Sequence, residues 1–127
     1  MLSRRDLVAA TLLLAAAPAL AAEKAAYTSA GFAAAQAAGA PILVEIYASW
    51  CPTCRAQQPI LDKLEAEPRY KDLRVFRVDF DKQKDVARSL GANTQSTLIM
   101  FKGRQETGRS VGDTERGAID ALFATAF

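Results

Sequence analysis

The stretch ILVEIYASWCPTC, residues 42–54, holds both cysteines of the 127-residue chain, and its reading decides the fold. Its opening run, Ile42 to Ala48, is almost unbroken in apolar character and carries β-branched and aromatic members. Pro41 bounds it on one side and the cysteines on the other. Such a run predicts a strand buried on both faces. A helix is expected to start at the cysteines and reach about Glu67, with Ile60, Leu61 and Leu64 facing inward. Pro59 should kink that helix, and Pro68 should end it.

Working outward, Thr28 and Ser29 can cap a helix that crosses the alanine-rich stretch to about Ala38, where Gly39 ends it. Leu73 to Asp79 alternates and reads as a second strand. Lys84 to Leu90 reads as a short helix with Gly91 at its C-terminus. Thr97 to Lys102 is a third strand, and Gly103 turns the chain into a fourth from Glu106 to Val111. A last helix should begin in Gly112 to Glu115, capped by Asp113 or Thr114, and turn Ile119, Leu122 and Phe123 to the core. This order predicts an α/β fold, a central mixed sheet flanked by helices on both faces. No internal repeat or linker divides the chain.

Composition narrows the chemistry. With 50% hydrophobic and 24% charged residues, the chain is that of a globular domain. A net charge of +2 with no basic stripe gives nucleic acid no purchase. There is no histidine, which removes the commonest general base and the commonest metal ligand.

The N-terminus has the layout of an export signal. A short charged start, Met1 to Asp6, precedes the apolar run Leu7 to Ala17, then Pro18 and the small residues of Ala19-Leu20-Ala21. The apolar run is about half the roughly 20 residues that a bilayer-spanning helix needs. Ser3, the pair Arg4-Arg5 and Leu7 resemble a twin-arginine signal. The expected division is a signal over 1–21, cleaved near Ala21, and one domain over 22–127. Its expected site is the periplasm, where disulfides persist.

Two thiols separated by two residues can be a redox couple, half of a metal site, or a staple. At a strand–helix junction, Cys51 would sit where free backbone N–H groups and the helix dipole favour an anion. The thiolate is the reactive species of a cysteine, and such a position promotes it. Cys54, one turn later and facing inward, is placed to resolve a mixed disulfide on Cys51. Pro52 suits the first turn, where its missing N–H is not needed. A structural zinc site needs four ligands and finds two thiols here. A staple closing so short a loop removes little unfolded-state entropy. The redox couple therefore leads.

Leu43 to Cys54, followed by Pro59 and Leu61-Asp62, resembles the thioredoxin family. The likeness extends through Val75 to Asp81, Thr97 to Gly103 and Val111-Gly112, which is nearly all of the chain after the signal. It implies a thioredoxin-like sheet of four or five strands flanked by helices, working by dithiol–disulfide exchange. Cys51 would be the exposed nucleophile and Cys54 the resolving thiol, the two closing a redox-active Cys51–Cys54 disulfide. Trp50, Pro52 and Thr53, with Gln95, Ser96 and Thr97, would meet the substrate. No cofactor and no metal are implied.

Two departures from the family pattern stand out. A buried aspartate usually lies six residues before the first cysteine, and this chain has Glu45 there. An acid between Val44 and Ile46 is desolvated, which suits a proton acceptor working near neutrality. Arg77 falls where the family often has a lysine paired with that acid. The second departure is larger: Ser96 stands where the family has a cis-proline whose preceding backbone pairs with the substrate. A cis bond before a non-proline costs about 2.5–4 kcal/mol, so Gln95–Ser96 should be trans. The Ser96 and Thr97 hydroxyls are then placed to hydrogen-bond the Cys51 sulfur.

The resulting expectation is an exported protein-disulfide reductase, monomeric, acting on disulfide-containing client proteins and fed by a membrane-embedded electron donor. The likeness to reducing thioredoxins around Trp50 and Glu45, with no inserted helical domain, favours reduction. The alternative is a non-catalytic module that holds a soft metal ion, an Fe–S cluster or a client through the same face. The missing proline, which in the family is held to keep metal off the dithiol, leaves that alternative open.

Overall fold

In the computed structural model, which describes residues 21–127, the apolar run is a strand at the centre of a sheet. The strands in chain order are β1 (Glu23–Ala26), β2 (Pro41–Tyr47), β3 (Arg74–Asp79), β4 (Thr97–Lys102) and β5 (Gln105–Val111). The helices are α1 (Ser29–Ala37), α2 (Pro52–Glu65), α3 (Lys84–Ser89) and α4 (Arg116–Ala124). Across the sheet the order is β1-β3-β2-β4-β5. β1, β3 and β2 run parallel, whereas β4 is antiparallel to β2 and β5 to β4. The fold is the mixed α/β sheet expected. The export signal expected over 1–21 lies outside the described residues except for Ala21.

Burial on both faces explains why β2 is apolar apart from Glu45. Ile42, Val44 and Ile46 point to one face, where they pack with Phe32 of α1, Phe76, Ile99 and Phe101. Leu43 points to the other, against Leu61 and Leu64 of α2 and Ile119, Leu122 and Phe123 of α4. A fully buried side chain of this size stabilises by about 1.5–3 kcal/mol. Glu45 shares the parity of Leu43, so the pleat turns its carboxylate toward the α2 side.

The differences from expectation have local causes. β1 was not expected: its side chains are all exposed, and it joins the sheet through backbone pairing with β3. α2 ends at Glu65, followed by a short 3-10 turn at Pro68–Tyr70, because the ring of Pro68 disfavours helical backbone at Glu67. Pro59 lies inside α2, which continues through it. Neither Asp113 nor Thr114 caps α4. Glu115 occupies that position without a side-chain hydrogen bond, and the Asp113 carboxylate instead accepts from the Glu115 N–H at 3.1 Å. Among the described residues, no helix is long and apolar enough to cross a membrane.

Candidate active site at the end of the second strand

The chain leaves β2 at Tyr47 and turns at once into α2. The Cys51 N–H donates to the Ala48 carbonyl at 3.1 Å. Cys51 is the N-cap of α2, with extended backbone (φ −83°, ψ 115°), and its sulfur accepts from the Cys54 N–H at 3.1 Å. The sulfur therefore takes the place that a serine or aspartate oxygen occupies at an ordinary helix start. Pro52 fills the first helical position.

The two thiols are driven apart in acidity. Burial by itself pushes the Cys51 thiol up, but hydrogen bonds outweigh it and hold the thiol below its ordinary value. Those bonds come from the Cys54 thiol, the Ser96 hydroxyl, and the Cys54 and Thr53 backbone. Burial also pushes the Cys54 thiol up, and there the neighbouring Cys51 adds to the effect, leaving Cys54 above the ordinary value. Both cysteines are free, so the structure holds the dithiol state of the expected Cys51–Cys54 pair. Cys51 was expected to be exposed and retains only 2% of its surface. Cys54 and the Ser96 hydroxyl lie against its sulfur and cover it.

Ser96 occupies the loop before β4. No peptide bond among the described residues is cis, so the Gln95–Ser96 bond is trans as expected. The loop compensates by an unusual backbone: Ser96 has φ +65°, the one described non-glycine residue at positive φ. Such a conformation costs an L-residue about 1–2 kcal/mol. It is held from several sides. The Ser96 N–H donates to the Ile46 carbonyl at 2.8 Å, and the Ser96 carbonyl accepts from the Gly112 N–H at 3.0 Å. Gln57 Nε2 donates to that same carbonyl at 3.3 Å and to the Asp113 carbonyl at 2.8 Å. The hydroxyl of Ser96 lies 3.2 Å from the Cys51 sulfur and 3.2 Å from the Cys54 sulfur. Thr97 was expected to help but does not reach: its hydroxyl donates to the Thr94 carbonyl at 2.7 Å.

Around the sulfurs, Pro52 is exposed, and Thr53 and Gln95 are half-buried. Trp50 is 54% exposed, and its indole N–H donates to Asp81 Oδ2 at 2.7 Å. Its ring therefore lies on open surface and not in the core. Val111, which pairs with Thr97 across the sheet, is exposed as well.

Glu45 is 1% exposed and faces two cations. Its Oε2 lies 3.2 Å from Lys24 Nζ, and its Oε1 lies 3.2 Å from Arg77 Nη2 and accepts from Gln58 Nε2. Gln58 Oε1 accepts from Arg77 in turn at 2.6 Å, while the guanidinium sits 4.0 Å above the Tyr47 ring. Lys24 also lies 3.7 Å from Glu65 Oε1. Burial pushes the Glu65 carboxyl up to about 7; Lys24 pulls it down, and the charges of Glu45 and Asp62 raise it further. An open groove of about 480 Å³ runs beside β1 past Lys24, Tyr47, Arg77, Asp79 and Gln83, and neither cysteine lines it.

Sequence reasoning missed Gln57, Gln58, Lys24, Glu65 and Val111. Gln57 had a signal, since it follows Cys54 at the helical spacing that puts both on one face. Lys24 had none, because β1 itself was not recognised. Among the described residues no group of three or more His, Cys, Asp or Glu side chains is arranged to hold a metal ion.

The family model for thioredoxin matches residues 23–125. The chain belongs to the thioredoxin family. Thiol–disulfide exchange is the chemistry of that family, and the site carries the dithiol it requires. A thioredoxin of Mycobacterium tuberculosis is 35% identical over 79 residues, covering 62% of this chain and 67% of its own. One of Chlamydia muridarum is 33% identical over 83 residues, covering 65% and 79% respectively. Among solved structures, Trxlp of Edwardsiella tarda superposes with a TM-score of 0.78 at 44% identity, over 80% of this chain and 98% of that one.

Proposed function

We propose that this chain reduces disulfides of other proteins outside the cytoplasm. One observation carries the proposal: the Cys51 sulfur is the N-cap of α2, accepting from the Cys54 N–H while a hydroxyl bonds it from the facing loop. Those donors favour the thiolate, which attacks one sulfur of a client disulfide and releases the other as a thiolate. Cys54 then attacks Cys51, closing the intramolecular disulfide and freeing the second client sulfur. Client disulfides leave reduced and the protein leaves oxidised, so a donor must return two electrons. For an exported protein that donor is a membrane-embedded dithiol.

The exposed Trp50 ring and the exposed Val111 offer apolar surface to a client. The export signal read from residues 1–21 supports the compartment, and the likeness to thioredoxins supports the direction. The test is reduction of a protein disulfide by the purified chain, run beside Cys51→Ser and followed by its potential against a glutathione buffer. Reduction lost in Cys51→Ser, with a potential below that of glutathione, is expected. Reduction unchanged in that variant would refute the mechanism, and a potential well above glutathione would refute the direction.

A further inference from the structure

Ser96 combines two unusual features. Its backbone is held at φ +65°, where glycine would sit without strain, yet a side chain is present. Both hydrogen bonds of that side chain go to sulfur, at 3.2 Å to Cys51 and 3.2 Å to Cys54. The N–H and C=O of Ser96 are bonded independently, to Ile46, Gly112 and Gln57, so the loop aims the hydroxyl without help from the sulfurs.

A hydroxyl has one proton to donate and lone pairs to accept with. Between two sulfurs it can therefore donate to only one and accept from the other. Cys51 already accepts from the Cys54 N–H at the helix start, so its sulfur is the one arranged as thiolate. One arrangement that satisfies both contacts is Cys54 S–H to Ser96 Oγ and Ser96 O–H to the Cys51 sulfur, alternative to a direct bond from the Cys54 thiol to Cys51. Glu45, the acid expected to move this proton, has its oxygens turned to Lys24, Arg77 and Gln58.

We propose that Ser96 is a catalytic residue of the exchange, its hydroxyl holding the Cys51 thiolate and then passing the Cys54 proton to the departing sulfur. The proposal rests on the exchange reading above. In the first step the Cys51 thiolate forms a bond to one substrate sulfur, the substrate S–S bond breaks, and its other sulfur leaves with the electron pair. In the second, Cys54 forms a bond to the Cys51 sulfur and the bond from Cys51 to the substrate breaks. The Cys54 proton moves to Ser96 Oγ as the serine's own proton moves to the departing sulfur. The dithiol loses two electrons, the substrate disulfide gains them, and the serine is restored. The departing sulfur is bonded to the atom that Ser96 already faces, about 2 Å beyond it, so the mixed disulfide and the serine side chain must turn to bring that sulfur within hydrogen-bond reach of Oγ before the proton passes.

Ser96→Gly tests this because it removes the hydroxyl while keeping a residue at ease at positive φ. Ser96→Ala removes the same hydroxyl and leaves the strain, and thermal unfolding of both variants checks that they fold. Two readouts are needed. The pH midpoint of Cys51 alkylation by iodoacetamide is expected to rise by about one pH unit in both variants, as for loss of one hydrogen bond to a charged group. The resolution step is then followed in single turnovers, with glutathione disulfide and with an aromatic disulfide. An alkyl thiolate is the poorer leaving group and gains from a proton delivered as it departs, whereas an aromatic thiol, of lower pKa, leaves readily as the thiolate. Resolution is expected to slow at least about tenfold with the alkyl leaving group and by less than about threefold with the aromatic one.

An unchanged midpoint in both variants would overturn the donor role. Equal slowing with both leaving groups, or slowing of the alkyl case in Glu45→Gln and not in Ser96→Gly, would overturn the proton transfer. Wild-type protein that leaves protein disulfides intact would sink the client reading alone, since these measurements use small reagents.

Discussion

Replacing Glu65 by glutamine should stabilise this protein at neutral and higher pH, an unusual outcome for loss of a charged residue. Glu65 is 7% exposed, its Oε1 has no hydrogen-bond partner, and Lys24 stands 3.7 Å from it. Burial, opposed by Lys24 and reinforced by Glu45 and Asp62, carries its carboxyl from the ordinary 4.5 up to about 7. A folded-state value above the unfolded one means that folding favours the protonated form. The carboxyl therefore weighs least against folding below the unfolded value, and stability is lost as pH rises through about 7. At about 1.4 kcal/mol for each tenfold change in proton affinity, the loss reaches about 3 kcal/mol once the acid is fully ionised. Roughly 2 kcal/mol of it falls between pH 5 and pH 7.

Glu65→Gln cannot ionise and keeps the shape, so that part of the pH dependence should vanish. Lys24 retains Glu45 at 3.2 Å as its partner. Urea unfolding at pH 5, 6, 7 and 8 measures the difference. The variant should match the wild type within about 1 kcal/mol at pH 5 and exceed it by about 2–3 kcal/mol at pH 8. Parallel pH curves for the two proteins, or a variant less stable at pH 8, would refute the reasoning.

Other consequences follow from the same geometry. Gln57→Ala removes the side-chain donor to the Asp113 carbonyl and leaves the Ser96 carbonyl with the Gly112 N–H alone; it should cost about 2–4 kcal/mol by urea unfolding and raise the Cys51 alkylation midpoint. A loss below about 0.5 kcal/mol would show that the loop holds its shape unaided. In the wild type, the Cys51 alkylation midpoint should lie below that of an ordinary thiol and its rate should fall away as pH drops through that midpoint, with Cys54 reacting far more slowly. Trp50→Ala should raise KM for a protein disulfide about tenfold or more while changing the rate with a small aromatic disulfide less than twofold, since the ring lies on open surface outside the sulfur contacts. Equal losses on both substrates would place Trp50 in support of the cysteines instead.

The elements that were legible are those whose side chains decide their place. β2 reads as a double-buried strand because Ile42 to Ile46 has an apolar partner on each face of the sheet, apart from Glu45. α4 reads correctly through Ile119, Leu122 and Phe123, which share one helical face. β1 was illegible because Glu23-Lys-Ala-Ala26 has no β-branched or aromatic residue and buries nothing; only backbone pairing with Arg74 to Arg77 makes it a strand. Lys24, which that strand carries to Glu45 and Glu65, stayed hidden with it. The substitution at Ser96 was visible, and the trans bond followed from the energetic cost of a cis one. Its positive φ was not visible, because it arises from bonds to Ile46, Gly112 and Gln57, residues distant in the chain.

Trapping the covalent intermediate tests exchange at Cys51 most directly. Cys54→Ser retains the N-cap sulfur and lacks the thiol that would release a bound client. Mixed with a disulfide-containing protein and measured by intact mass, it should gain one client chain through Cys51, lost on adding dithiothreitol and absent from Cys51→Ser/Cys54→Ser. A folded Cys54→Ser variant that gains no such mass, or gains it equally without Cys51, would contradict the account.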